Sequence, residues 1–281
     1  MMNKILNSRF APNTTGTLYD PFIARGLDSL TYAIVCVCVE FTLITYTHIY
    51  RYGAYMKSKF MLVGTPSGIT LGPEGGAHQS ISSPLISMAT PNLTCFEPAF
   101  ADEVKACMRE GFEMMQDEDA GSIYLRLTTR GIKQIDREWT PELERDVLRG
   151  GYFHIEPEDC DSLVVFSGAI APEVLEAVDI LKTKKNRNVS LLQVTSSDRL
   201  ANEWKEKGTD SHISNIMSRV SRDATVVTVV DAHPTTLSWI GSVCGHRVHP
   251  LGVQTFGQSG DLVDLYREYE VDADAIVRML D

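Results

Sequence analysis

The sequence predicts an α/β protein of two units, each built around a mostly parallel sheet. Three observations predict it. Short apolar strands alternate with amphipathic helices along most of the chain, the order that parallel sheets with crossover helices produce. One strand, "ATVVTVVDA" (224–232), is apolar almost throughout, as expected when both faces of a sheet are covered. A polar, Pro- and Gly-punctuated stretch at 129–160 separates two such alternations and reads as a connector.

The elements follow in order. "KFMLVG" (59–64) is a short buried strand, followed by the glycine-rich loop "TPSGITLGPEGGAHQS" (65–80). A helix begins near Phe100, where Phe100, Val104, Cys107, Met108, Gly111 and Met115 recur at spacings of three and four and share one face. "SIYLRLT" (122–128) alternates and is β-rich, so it is a strand. After the connector, "SLVVFSG" (162–168) is a strand. Pro172 suits a first helical turn, and that helix buries Val174, Val178 and Leu181. "VSLLQVT" (189–195) is the next strand, and His233-Pro234 opens a helix after the apolar strand. "HRVHPLGV" is the last strand. Two short helices close the chain, with Asp272 as N-cap of the final one and Ser259 as cap of the helix starting near Asp261.

Composition narrows the function. The 281 residues are 43% hydrophobic and 22% charged, which is ordinary for a globular protein with a real core. A net charge of −11 argues against a nucleic-acid partner and against an anionic lipid surface. The six cysteines fit neither a disulfide framework nor a paired zinc site, so reduced thiols in an intracellular protein are expected. The start, "MMNKILNSRFAPN", has no apolar stretch of signal-peptide length. Cytoplasm and mitochondrion both remain open.

Residues 31–52, "TYAIVCVCVEFTLITYTHIYRY", break the pattern. They are apolar and β-branched, without a helical period or caps. A membrane anchor of about 20 residues is conceivable by length, but Glu40 in its middle costs roughly 2.5–3.5 kcal/mol. Val-Cys-Val-Cys-Val is also what a GT dinucleotide tract encodes, so translated non-coding repeat, such as a retained intron, is the favoured reading. A buried strand pair is the third. Removal of these codons from the mature transcript is the test.

Outside that run, "GTLYDPFIARGLDSLTYA", "SKFMLVGTPSGITLGPEGGAHQS" and "TCFEPAFADEVKACMREGFEMM" resemble the pyrimidine-binding domain of thiamine diphosphate enzymes. The nearest type is the homodimeric pyruvate dehydrogenase decarboxylating component, within the wider transketolase superfamily. "PLGVQTFGQSGDLVDLYREYEVDADAIVRML" resembles the end of a transketolase-type C-terminal domain. The implied organisation is a non-matching start at 1–12, a partial pyrimidine-binding domain at 13–132 with the anomalous insert at 31–52, a linker at 133–160, and the C-terminal domain at 161–281.

The resemblance implies roles for four residues. Glu74 and His78 match the glutamate and histidine that face the reacting 2-oxo acid. A histidine near neutral pKa can relay protons to an oxygen that must gain and lose them, and a nearby carboxylate can orient it. Glycines would let the backbone approach a cofactor closely. Residue types alone would leave this a surface loop with a solvated Glu and His. Tyr19 and Phe22 match aromatics that pack on the aminopyrimidine ring, though core aromatics would look the same. Asp231 and His233 follow a strand at the sheet end where α/β folds put ligands, but helix capping is the favoured reading. "FGQSG" (256–260) is one residue short of a hydrolase elbow.

Two expected features are missing. Family members hold the diphosphate through a divalent metal, Mg, bound by a Gly-Asp-Gly motif in a separate domain. The only Gly-Asp here, Gly260-Asp261, continues with Leu262. The glutamate that activates the cofactor lies upstream of the tyrosine motif in the family, and residues 1–19 contain no glutamate. The expectation is therefore the C-terminal part of a longer enzyme, without metal ligands and inactive alone. The implied parent reaction is oxidative decarboxylation of a 2-oxo acid, pyruvate, with acyl transfer to lipoyl groups. The implied partners are a second copy or a complementing chain carrying the missing domain, and a lipoyl acyltransferase component. Transketolase-type ketol transfer and a non-catalytic assembly fragment are the alternatives.

Overall fold

The computed structural model describes residues 33–38, 51–157 and 160–281. Two sheets organise them. The first runs β1 (Ala33–Cys38), β2 (Phe60–Thr65), β4 (Ser122–Arg126), β3 (Leu93–Phe96), every neighbour parallel. The second runs β5 (Gly151–Ile155), β7 (Ser190–Val194), β6 (Ser162–Ser167), β8 (Thr225–Val230), β9 (Val248–Leu251). Only β5, at its edge, is antiparallel. The α/β class with mostly parallel sheets is as the sequence predicts.

β8 shows why its sequence is apolar throughout. Val226 and Val230 enter the core under α5 (Ser197–Lys207) and α6 (His212–Met217), while Val227 and Val229 enter the opposite core under α4 (Ala171–Lys185) and α10 (Ala273–Leu280). Alternate residues face opposite sides of a strand, so a strand between two helical layers needs apolar residues at both parities. Pro172 sits in the first turn of α4, and Val174 and Leu181 are buried; Val178 is only partly so. Asp272 caps α10 by accepting the Ala275 N–H at 2.9 Å.

Several expectations need correction. The stretch 133–160 is more than a linker. Pro141 opens α3 (Pro141–Arg149), with the Thr140 side chain accepting the Leu143 N–H. Gly150, at φ 113, ends it, and β5 then joins the second sheet. The Pro and Gly-Gly that looked like linker punctuation are a helix start and stop. α1 (Ser83–Met88) and β3 were not legible, since both are very short and β3 follows Pro91-Asn92. On α2 (Ala101–Met114), Phe100, Cys107, Gly111 and Met115 are buried as expected, but Val104 and Met108 are half-exposed. Glu103 is buried in their place, because its carboxylate accepts the Ala99 and Phe100 N–H groups at 2.9 and 3.1 Å. Asp261, and not Ser259, occupies the N-cap of α9 (Leu262–Glu268).

Among the described residues no helix is long and apolar enough to cross a membrane. Within the anomalous run, Ala33–Cys38 form β1, in parallel register from Ala33 opposite Phe60 to Cys38 opposite Thr65. Residues 39–50 lie outside the described residues, as do Tyr19 and Phe22.

Candidate active site

The glycine-rich loop leaves β2 and folds into two single turns, Gly68–Thr70 and Gly76–His78. It lies against the second unit. Gly68 is left-handed, at φ 55, and a Cβ there would sit 2.5 Å from the Asp231 carbonyl oxygen and 2.6 Å from its carboxylate. A Cβ on Gly76 would overlap the Gly257 carbonyl. The glycines thus allow close approach to residues 231 and 257–260 of the second unit.

The loop is stapled at both ends. At its entry the Asp231 carboxylate accepts the Ile69 N–H at 2.9 Å. At its exit the Ile81 carbonyl accepts the His233 N–H at 2.9 Å. Asp231 is a capping residue after all, but it caps the loop's first turn and not its own following helix. In the middle, the buried Gln79 donates to the Leu71 and Gln258 carbonyls at 3.2 and 3.0 Å, and Gly260 N–H donates to the Gly72 carbonyl at 3.2 Å. His78 is half-buried at the end of the second turn, and Glu74 is exposed.

Beneath the loop lies a charged centre. Arg126, fully buried at the end of β4, pairs with Glu97 and donates to Ser83 Oγ at 3.2 Å, to the Ser80 carbonyl at 3.1 Å and to the Asp231 carbonyl at 2.8 Å. Burial pushes the Asp231 carboxyl above its usual range, against the pull of Arg126 and of the N–H and O–H groups it accepts. Tyr266 O–H supplies one of those, at 3.1 Å.

A second centre ties the connecting segment down. The Arg137 guanidinium spans Asp102, at 2.7 and 2.8 Å, and also reaches Glu103 and the Tyr152 hydroxyl. Gln193 donates to Glu103 at 2.7 Å, and the Tyr152 hydroxyl lies 3.1 Å from His154 Nε2. Burial, reinforced by the Arg137 charge, pushes the His154 imidazole down to about 4.

Sequence reasoning missed Gln79 and Arg126 and underrated Asp231. The only local signal was the position of Asp231 at a strand's C-terminal end. A diphosphate with its divalent metal needs a cluster of acidic or imidazole ligands, and the described residues contain no group of three such side chains able to hold a metal ion. Among the described residues, the half-buried His78 imidazole stands on a loop held at both ends and in the middle.

Residues 26–132 match the family described as transketolase, pyrimidine binding domain. Over that stretch the chain is similar to the transketolase-like superfamily. That superfamily is thiamine diphosphate-dependent. The match contains Glu74 and His78, runs through 31–52, and begins after Tyr19 and Phe22. The chain is 27% identical over 233 residues to the pyruvate dehydrogenase E1 component of Escherichia coli K12, covering 78% of this chain and 26% of that protein. It is 27% identical over 175 residues to transketolase 2 of the same organism, covering 62% and 25%. The fold matches a solved split gene transketolase, described as an inactive beta4 tetramer, with TM-score 0.63 and 18% identity over 89% of this chain and 74% of that one. The chain thus spans about a quarter of the length of these full-length curated relatives.

Proposed function

We propose that this chain supplies the substrate-facing part of a thiamine diphosphate-dependent 2-oxo acid decarboxylating component of pyruvate dehydrogenase type. It works only with a chain that carries the metal–diphosphate domain. The observation that carries this is the loop itself. His78 stands on a backbone fixed from both ends and from the middle. The solved split gene transketolase, described as an inactive beta4 tetramer, supports a two-chain arrangement.

In this reading His78 gives and takes a proton at the substrate oxygen, and Glu74 sets the orientation and basicity of the imidazole as the site closes. Tyr19 and Phe22 pack against the cofactor's aminopyrimidine ring. The bound cofactor supplies the electron sink for loss of carbon dioxide. The acyl group leaves to the lipoyl domain of an acyltransferase component. The protein works inside the cell, in cytoplasm or mitochondrion.

Transketolase-type ketol transfer is the second reading, favoured by the transketolase relative. A sugar phosphate needs cations at the site mouth, and residues 65–81 contain neither Lys nor Arg. That weighs toward a small 2-oxo acid without a phosphate group, such as pyruvate. A non-catalytic assembly fragment is the third, which absence of turnover with every candidate partner would favour.

Calorimetric titration with thiamine diphosphate and Mg²⁺ tests the reading. The chain alone is expected to give no binding heat and no carbon dioxide from pyruvate. Addition of a chain bearing a Gly-Asp-Gly metal motif restores both, and His78→Ala then lowers turnover by about 10²–10⁴-fold. Tight metal-dependent binding by the chain alone overturns the two-chain reading.

A further inference from the structure

Asp231 holds the entry of the loop that carries His78 and is joined to its exit through Arg126. Its Oδ1 accepts the Ile69 N–H at 2.9 Å at the loop's entry. Its backbone carbonyl accepts from Arg126 Nη2 at 2.8 Å, and the same nitrogen donates to the Ser80 carbonyl at 3.1 Å, at the exit. Two residues on, His233 N–H holds the Ile81 carbonyl. His78 lies between these fixed points. Asp231 itself is fully buried at the end of β8, and its second carboxylate oxygen accepts the Tyr266 hydroxyl at 3.1 Å. The site calls for two acceptors at once, which a carboxylate provides without rearrangement. Gly68 shows how close the fit is, since no side chain can stand there without meeting Asp231.

We propose that Asp231 is the positioning residue of the His78 loop, so that the second unit sets the geometry of the reactive loop in the first. This rests on the reading of His78 given above. Asp231 touches no reacting atom; it acts through Ile69 and Arg126.

Hydrogen–deuterium exchange on the intact chain tests the proposal without turnover. Asp231→Ala is expected to speed exchange in peptides covering 67–80 by about tenfold, the size of one lost buried hydrogen bond, while β6 and β8 keep their protection. The His78 imidazole resonance should move with it. Asp231→Asn should restore most of the protection, because its side-chain oxygen still accepts the Ile69 N–H and the Tyr266 hydroxyl can turn round to donate elsewhere. If Asp231→Ala does not fold, Gly68→Ala decides, because it disturbs the same contact from the loop side and should loosen the same peptides. Wild-type exchange across 67–80 in folded Asp231→Ala, or in Gly68→Ala where Asp231→Ala does not fold, overturns the proposal. A loosened loop in the partner-complemented enzyme should lower kcat more than it raises KM for pyruvate. A loosened loop with unchanged turnover leaves the role of Asp231 standing and overturns the assignment of His78 instead.

Discussion

Arg126 and Glu97 form an ion pair whose side chains are 0% and 7% exposed. They close the C-terminal ends of β4 and β3. Removing one partner leaves the other buried and uncompensated, so Glu97→Leu should cost about 3–5 kcal/mol in urea unfolding. Replacing both, with Arg126→Met, should cost less than the sum of the single losses. Additive losses would show that the two charges act independently.

Gly76 carries the tightest approach of the loop to the second unit. Gly76→Ala places a methyl group on the Gly257 carbonyl and forces one backbone to move. The expected loss is about 1–3 kcal/mol in thermal unfolding, as for other overpacked sites. Gly131, whose added Cβ would meet nothing within 4 Å, is the control, and Gly131→Ala should change stability little. Equal behaviour of the two variants would count against a docked loop.

His154 predicts an acid-sensitive term. Its folded pKa, about 4, lies below the usual imidazole value because of burial and Arg137. The unfolded chain therefore binds the proton more tightly. The stabilisation is complete above about pH 6.5 and is lost as pH falls from there toward the folded value. Between pH 7 and pH 5 the loss should be of order 1–2 kcal/mol. His154→Gln should flatten the dependence of Tm on pH over that window, and an unchanged slope would place the sensitivity elsewhere.

The candidate site was only half legible. Glu74 and His78 stood out because a lone acid and a lone imidazole share a run of glycines. The reason for the glycines was not legible, because Gly257 and Asp231, which they approach, lie far along the chain. The connecting segment misled for a related reason. Pro141 and Gly150 have the same local meaning in a linker as at the ends of α3, and only the pairing of β5 with β7 shows that the segment belongs to the second sheet.

By itself the sequence determined what local physics encodes. The alternation of strands and helices, the two-sided burial of β8, Pro172 in the first turn of α4 and the Asp272 cap follow from periodicity, backbone restriction and short-range hydrogen bonding. Tertiary structure decided what depends on partners distant in the chain. Ile69 meets Asp231 across 162 residues, and Gln79 meets Gln258 across 179. Periodicity reports that a face is buried, but not which distant carbonyl or carboxylate closes on it. The conformation of the His78 loop is set by those closures, and so it appears only when both units are folded together.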